Sequence, residues 1–241
     1  MKEISLLEML KCGVHFGHQK KRWHPKMKPY IYSIRSGIHI INLEQTAQKL
    51  EQAASFAVEL AKKGGRILFV ATKRQAQPIF QKAARETKMP FVIERWIGGT
   101  LTNFDNISKL VNRLKDLRDK KEKGELEKYT KRERLQFTEE IANLEKLVGG
   151  IENLSKQPDA LFIDDVKKER TAIREASKNK IPIIAIVDTN NNPELVDYPI
   201  PANDDATKSI EYIVNYMAEA IKEVPRDKNE PEEKDKDKDN K

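Results

Sequence analysis

Short apolar runs alternate with helical patterns along most of the chain. The continuous apolar run at residues 66–72 is typical of a strand buried on both faces, and further strand-like runs lie at 91–95, 160–166 and 182–188, with a shorter one at 198–201. Apolar residues at helical spacing follow over 75–87, 169–180 and 205–223. Strands that alternate with helices form parallel pairs through right-handed crossovers. The pattern therefore predicts an α/β fold with a doubly wound parallel sheet.

The residues before this alternation carry their own signals. Ser5 and Glu8 form a capping box that predicts a short helix. Residues 30–42 contain two β-rich runs separated by a turn, which predicts a hairpin. An amphipathic helix follows over 43–63 and ends at two glycines. The stretch between the short helix and the hairpin is interpreted as a basic loop.

Two long helical patterns interrupt the alternation between the strand that ends at Arg95 and the strand that begins near Ala160. Their apolar stripes are narrow, and a second capping box, at Thr130 and Glu133, begins the second pattern. We predict an antiparallel, coiled-coil helical hairpin that projects from the sheet. Its densely charged faces are interpreted as solvated or as a surface for a partner.

The predicted organisation is one α/β domain with an insertion. The α/β domain consists of residues 1–102 and 156–224, and the inserted hairpin consists of residues 103–155. The last segment, 225–241, has six basic and seven acidic residues and no large apolar residue. Such a segment cannot bury enough surface to offset its ordering entropy, so we predict a disordered tail.

Composition narrows the class of protein. With 38% apolar residues among 241, the chain can supply a core. Its single cysteine, Cys12, cannot form an internal disulfide, which favours a reducing compartment. The first 13 residues lack the apolar run of a signal peptide, and no segment approaches the roughly 18 apolar residues of a membrane span. We therefore expect a cytoplasmic protein.

Positive charge is concentrated near the N-terminus, together with side chains that could bind a metal or act in catalysis. The net charge is +7, and residues 1–35 alone carry eight Lys or Arg against two Glu. Four nearby side chains have the chemical types of a zinc site: Cys12, His15, His18 and His24. Their crowding and the adjacent lysines disfavour a dication, and the position of Cys12 at a helix end disfavours a catalytic thiolate.

The same stretch suits a polyanion better. Lys and Arg neutralise phosphates, while Trp23, His24 and Tyr30 offer flat faces for stacking on RNA. The alternative is a basic surface loop with Trp23 packed into the core. The concentration of positive charge favours nucleic acid.

The loops after the strands give little support to a nucleotide enzyme. No glycine-rich phosphate loop follows the strand at 66–72. Residues 72–74, Thr-Lys-Arg, could bind a lone phosphate of an RNA backbone or form an ordinary exposed loop. The acids at 164–165, 188 and 204–205 could hold Mg²⁺ or simply cap helices and turns. A phosphate-handling flavodoxin-like enzyme remains the alternative function.

Eight sequence blocks run in order from about Glu3 to Val224: GVHFGHQKKRWHPKMKPYI, IHIINLEQT, ILFVATKRQA, RWIGGTLTNF, PDALFIDD, KERTAIREASKNKIP, IVDTNNNP and IPANDDA. Together they resemble the bacterial-type small-subunit ribosomal protein S2 family. The resemblance implies a flavodoxin-like α/β domain with a protruding coiled-coil hairpin. It also implies a non-enzymatic constituent of the small ribosomal subunit, which binds ribosomal RNA and neighbouring ribosomal proteins, including S1, in support of translation.

Carried over onto this chain, the resemblance and the charge pattern predict a set of RNA-binding residues. These are His15, His18, Lys20, Lys21, Arg22, Trp23, His24, Lys26, Lys28, Tyr30, Arg35, Lys73, Arg74, Arg95 and Trp96. We expect no catalytic residue, metal ligand, cofactor, membrane contact or homo-oligomer. The sequence leaves open whether His18, Asp188 and Asp204 hold a metal, and whether the hairpin contacts RNA or protein.

Overall fold

The computed structural model describes residues 4–224, and the predicted disordered tail at 225–241 lies outside the described residues. In chain order the strands are β1 (Phe16–Gln19), β2 (Ile31–Arg35), β3 (Ile38–Ile41), β4 (Ile67–Val70), β5 (Phe91–Val92), β6 (Ala160–Ile163), β7 (Ile183–Val187) and β8 (Tyr198–Pro201). The helices are α1 (Leu6–Lys11), α2 (Leu43–Lys62), α3 (Gln77–Glu86), α4 (Phe104–Glu122), α5 (Lys131–Val148), α6 (Arg170–Lys178) and α7 (Thr207–Lys222).

Five strands form a parallel sheet in the order β5-β4-β6-β7-β8. Numbered by their sequence order within this sheet, the strands run 2-1-3-4-5, which is the flavodoxin-like arrangement. Val70 of β4 pairs with Val92 of β5 on one side and with Ile163 of β6 on the other. The predicted α/β class and parallel sheet are confirmed. The strand order reverses at β4 and β6, and sheets of this kind bind ligands at the carboxyl ends of such strands.

Helices cover both faces of the parallel sheet, and successive strand residues point to opposite faces. Ile67 and Phe69 of β4 pack in one apolar core with α2, α3 and α7. Leu68 and Val70 of the same strand pack in the other core with α4, α5 and α6. Every residue of β4, β6 and β7 is buried. Burial on both faces explains why these strands are continuous apolar runs in the sequence.

A three-stranded antiparallel sheet, in the order β1-β3-β2, contains the residues before α2. The predicted hairpin of β2 and β3 is confirmed, and its turn residues Ser36 and Gly37 have φ angles of 50° and 77°. The prediction was wrong for residues 16–19, which it placed in a basic loop and which form β1. Phe16 of β1 pairs with Ile40 of β3. Because FGHQ contains a single large apolar residue, no alternation in the sequence indicates a strand there.

The two helices predicted between residues 103 and 155 are α4 and α5, and they contact each other. Arg113 forms a salt bridge with Glu140 at 2.9 Å, and Arg118 forms one with Glu145 at 2.7 Å. The predicted capping box at Thr130 begins α5.

The base of this helix pair belongs to the core of the domain. Ile107 of α4 and Val148 of α5 lie in the same apolar cluster as Val70 of the sheet. The predicted apolar pattern continues to Leu154, but α5 ends at Val148, and a 3-10 turn follows over Gly149–Ile151. Two consecutive glycines lose backbone entropy in a helix without adding a packed side chain, which favours an end at this position.

The second of these glycines permits a close approach to the edge of the sheet. A Cβ atom on Gly150 would lie 2.2 Å from the carbonyl oxygen of Phe91, whereas a Cβ on Gly149 would meet only Glu145 Cγ at 3.5 Å. We expect Gly150→Ala to lower the free energy of unfolding by about 2 kcal/mol or more, because backbone must shift. Gly149→Ala is the matched control and should be neutral or slightly stabilising. Equal urea midpoints for the two variants would contradict the prediction.

Candidate nucleic-acid interface

The charged side chains in the N-terminal part of the protein are positive over a long stretch of sequence. Residues 9–43 contain seven Lys or Arg and no Asp or Glu. Within them, residues 12–42, here called the N-terminal basic segment, form β1, two 3-10 helices (Lys20–Arg22 and Pro25–Tyr30), β2 and β3. The exposed cations of the segment are Lys20, Lys21, Arg22, Lys26, Lys28 and Arg35.

The N-terminal basic segment is anchored on the loop that follows β7. The backbone N–H of His24 donates to the carbonyl oxygen of Thr189 at 2.7 Å, and that of His18 donates to Thr189 Oγ1 at 2.8 Å. A Cβ atom on Gly17 would lie 2.5 Å from Thr189 Cγ2, so the chain can pass this closely only with glycine. The carboxyl edge of the parallel sheet therefore fixes the position of the basic surface.

The imidazole of His18 also contacts the acidic loops that follow β7 and β8. Its Nδ1 lies 3.1 Å from Asp188 Oδ2, and its Nε2 lies 3.1 Å from Asn190 Nδ2 and 3.5 Å from Asp205 Oδ2. The hydrogen bond to Asp188 raises the pKa of His18 above its usual value, although partial burial opposes this. His18 therefore holds β1 against the sheet, and only 20% of its side chain is exposed.

The remaining predicted aromatic and histidine side chains of the N-terminal basic segment are half-buried. The ring of Trp23 lies with its centroid 5.3 Å from that of His39, and Trp23 is half-buried. His24 Nδ1 accepts a backbone N–H at 3.3 Å. Within the described residues, the buried Nδ1 of His15 has no hydrogen-bond partner, and burial lowers the pKa of His15. Tyr30 is also half-buried.

The cysteine and histidines of this segment are not gathered into a metal site. Among residues 4–224, no group of three or more His, Cys, Asp or Glu side chains is arranged to hold a metal ion. This includes His18 with Asp188 and Asp204. Cys12 is a half-buried free thiol.

Lys73, predicted to face RNA, lies within an acidic cluster at the carboxyl edge of the sheet. Its Nζ is 2.7 Å from Asp205 Oδ1, 2.9 Å from Asp204 Oδ1 and 3.3 Å from Asp165 Oδ2. Burial alone would lower the pKa of Lys73, but these carboxylates together raise it. With 15% of the side chain exposed, the charge of Lys73 is compensated inside the protein. The adjacent Arg74 is exposed.

A buried acid without hydrogen-bond partners accompanies this cluster. Asp164, at the end of β6, is fully buried, and neither carboxylate oxygen has a partner among the described residues. Burial, with the nearby charges of Glu169 and Asp165, raises the pKa of Asp164 to about 8. Glu169 itself accepts hydrogen bonds from the N–H and the hydroxyl of Thr72. The Asp164 carboxyl group is therefore largely protonated at neutral pH.

The junction between the sheet and α4 is organised by an acid that the sequence analysis missed. The carboxylate of Glu175 accepts from Trp96 Nε1 at 3.1 Å and from the backbone N–H groups of Gly99, Leu101 and Thr102 at 2.8, 2.9 and 3.2 Å. Trp96 is 8% exposed, whereas Arg95 beside it is exposed. An acid between buried alanines on the apolar face of α6 is the signal that could have revealed this role.

The chain was compared with known protein families, and one family matches it. The family described as Ribosomal protein S2 matches residues 9–224, which is most of the chain and nearly all of its described part. The chain belongs to the ribosomal protein S2 family. Ribosomal protein S2 has a structural, non-enzymatic role in the small ribosomal subunit, where it assembles with ribosomal RNA and other ribosomal proteins.

Membership of the S2 family decides between the two functions considered from the sequence. A phosphate-handling enzyme on the flavodoxin-like fold is not supported, because the family role is structural. Among residues 4–224, no helix is long and apolar enough to cross a membrane. The carboxyl edge of the S2 sheet, where related folds bind small ligands, is instead occupied by the N-terminal basic segment and by the ion pairs of Lys73.

Proposed function

We propose that this protein binds small-subunit ribosomal RNA through the N-terminal basic segment, as a structural part of the small ribosomal subunit in the cytoplasm. The observation that carries the proposal is the unbroken positive surface of residues 9–43, where no acidic residue is present. Of the exposed cations in this segment, only Lys26 forms an ion pair with a described acid, Glu194. Exposed Lys and Arg without acidic partners neutralise phosphates and release counterions from RNA.

The predicted RNA-binding residues divide into two roles in this proposal. Lys20, Lys21, Arg22, Lys28 and Arg35 contact phosphates, with Lys26 at the margin, and Arg74 and Arg95 contact phosphates from the loops that follow β4 and β5. The half-exposed rings of Trp23, His24 and Tyr30 stack on bases or contact ribose. The side chains of His18, Lys73 and Trp96 are hydrogen-bonded or ion-paired inside the protein and hold the surface in position. The half-buried ring of His15 packs against Phe16 beside them.

The paired helices α4 and α5 supply a surface for neighbouring proteins, including ribosomal protein S1, in the same proposal. Away from the core, most of their residues are charged and exposed, and two larger side chains, Tyr129 and Leu135, are 37% and 60% exposed. In this interpretation residues 103–155 form the antiparallel coiled-coil insertion, and residues 1–102 and 156–224 form the RNA-binding domain. The protein acts as one copy within the particle rather than as a homo-oligomer.

Replacement of Lys20, Lys21 and Arg22 by alanine should weaken association with small subunits that lack this protein. Each cation that no longer neutralises a phosphate should reduce the slope of log K against log salt by about 0.7–0.9, so the triple variant should reduce it by about 2–3. Cosedimentation across a salt series measures both the affinity and the slope.

The matched control removes three exposed lysines from the opposite edge of the sheet, at the ends of α2 and α6: Lys62, Lys63 and Lys178. This control triple variant should keep the affinity and slope of the wild type. An unchanged slope in the Lys20, Lys21 and Arg22 variant would remove this segment from the RNA interface. Wild-type binding that does not respond to salt would refute phosphate contact altogether.

A further inference from the structure

A second group of exposed cations lies at the carboxyl edge of the parallel sheet, outside the N-terminal basic segment. Strands β5, β4 and β6 are neighbours in the sheet, so the loops that follow them lie side by side. The strands are about 4.8 Å apart, which places the three loops within about 10 Å. Their exposed cations are Arg74 after β4, Arg95 after β5, and Lys167, Lys168 and Arg170 after β6.

Hydrogen bonds between the loops hold these cations in fixed relative positions. Lys168 Nζ donates to the carbonyl oxygen of Thr72 at 2.7 Å, which ties the loop after β6 to the loop after β4. Gln77 Nε2 donates to the carbonyl oxygens of Thr72 and Ile93, at 3.3 and 2.8 Å, which ties in the loop after β5. The cationic groups therefore form one surface rather than three independent loops.

Three of the four acids in the same loops are buried, so they cancel little of this charge. Asp165 accepts the backbone N–H groups of Lys167 and Lys168 at 2.7 and 3.2 Å through Oδ1, and its Oδ2 lies 3.3 Å from Lys73. Asp164 and Glu169 are buried as well. In these three loops, only the acid Glu94 is exposed.

Four of the exposed cations, in contrast, form no ion pair within the described part of the chain. No ion pair joins Arg74, Arg95, Lys167 or Arg170 to any acid among residues 4–224. The ammonium of Lys168 donates to a neutral carbonyl and also acts on the buried Glu169, so Lys168 lies at the flank of this surface and contributes less free charge. The outward field of this surface is therefore positive although the loops contain four acids.

We propose that Arg74, Lys167 and Arg170, flanked by Arg95 and Lys168, form a second binding surface for the phosphate backbone of ribosomal RNA. Exposed cations spread over three adjacent loops suit an extended phosphate backbone, which needs neutralisation at several points, better than an enclosed small ligand. The ion pairs of Lys73 separate this surface from the N-terminal basic segment, so the two contact different stretches of RNA. The inference rests on the proposed function, because it assumes that the protein binds this RNA.

The test compares two full-length variants that lose the same charge. The edge variant combines Arg74→Ala, Lys167→Ala and Arg170→Ala, which leaves Lys168 and its hydrogen bond in place. The control is the Lys62, Lys63 and Lys178 triple alanine variant. Binding of each variant to a transcript of the small-subunit ribosomal RNA, and to small subunits depleted of this protein, is measured across a salt series.

We expect the edge variant to bind both the transcript and the depleted subunit more weakly, with a salt slope smaller by about 2–3, while the control keeps the wild-type slope. An edge variant with the wild-type slope, or equal losses in both variants, overturns the inference. Weaker binding to the subunit but unchanged binding to the transcript would also overturn it, because the partner would then be an acidic protein.

The outcomes separate this inference from the proposed function. If the wild-type protein binds neither the transcript nor the subunit, the proposed function fails. If the wild type binds and loses affinity on substitution of Lys20, Lys21 and Arg22 but not in the edge variant, only the second surface is rejected. Should the edge triple variant melt earlier than the wild type, the single variants Arg74→Ala and Lys167→Ala replace it, each with an expected slope change of about 0.7–0.9.

Discussion

Replacing Glu175 with glutamine is expected to lower the free energy of unfolding by about 3 kcal/mol, through loss of charge-assisted hydrogen bonds to four buried or half-buried donors. The donors are Trp96 Nε1 and the backbone N–H groups of Gly99, Leu101 and Thr102. A glutamine presents one acceptor oxygen and brings an NH₂ group toward these donors. Chemical denaturation of the full-length protein measures the change.

The pH dependence of the free energy of unfolding is an independent test of the role of the Glu175 carboxylate. Burial alone would raise the pKa of this carboxyl, but the hydrogen bonds from Gly99, Leu101, Trp96 and Thr102 lower it below the usual value. A carboxyl with a lowered pKa stabilises the fold above its unfolded pKa, and this contribution is lost as the pH falls through the folded value. The difference between wild type and Glu175→Gln should therefore shrink in acid.

Glu219→Gln serves as the control for Glu175, because Glu219 is an exposed acid on α7. This substitution should change the free energy of unfolding by less than about 0.5 kcal/mol. If Glu175→Gln were equally mild, the carboxylate would not organise the junction between the sheet and α4.

Asp164→Asn is expected to stabilise the protein at pH 7, by about 4 kcal/mol. An aspartate in the unfolded chain has a pKa near 3.8, whereas burial raises the pKa of Asp164 to about 8. At neutral pH, folding must therefore protonate this carboxyl, which opposes the native state. Asparagine has a similar shape and no charge, so the variant avoids this cost.

The direction in which stability changes with pH shows whether protonation of Asp164 causes the difference between the two proteins. An acid whose pKa is higher in the folded than in the unfolded state contributes fully to the free energy of unfolding below its unfolded pKa. This contribution declines as the pH rises from the unfolded pKa through the folded pKa. Between about pH 4 and 8, the wild type should thus lose stability relative to Asp164→Asn by about 1.4 kcal/mol per pH unit. The stability of the variant should still depend somewhat on pH, because burial also raises the pKa of Asp204.

Urea denaturation at several pH values measures the effect of Asp164→Asn. Asp119→Asn, at an exposed position on α4, is the control and should follow the wild type at every pH. Parallel curves for Asp164→Asn and the wild type would show that the Asp164 carboxyl is not buried in its neutral form.

The parallel sheet and most helices could be predicted from the sequence because their signals are local. A strand such as β7, buried on both faces, must be apolar at every position, and a helix such as α2 must repeat its apolar residues every three to four positions. The six exposed cations of the N-terminal basic segment were also predictable, because long charged side chains rarely lie buried without partners.

The environment of individual site residues could not be predicted, because it depends on residues far away in the chain. Lys73 was assigned to a phosphate-binding loop from its neighbours, yet its carboxylate partners Asp204 and Asp205 come from a loop about 130 residues later. Trp96 was grouped with exposed Arg95, but its indole is directed toward Glu175 of α6. β1 was missed for the same reason, since it is defined by its contacts with β3 and Thr189.

The anchoring of the N-terminal basic segment has a consequence for biosynthesis. The cations of this segment are made before the residues that anchor the segment. His18 precedes its partner Thr189, which also binds His24, by 171 residues, and Asn203, which binds Gly13, comes later still. At about 5–20 residues per second, roughly 10–30 seconds separate the synthesis of His18 from that of Thr189. A nascent chain therefore cannot hold its RNA-binding surface in the docked form until Thr189 and Asn203 have been synthesised, which delays RNA binding until the sheet is assembled.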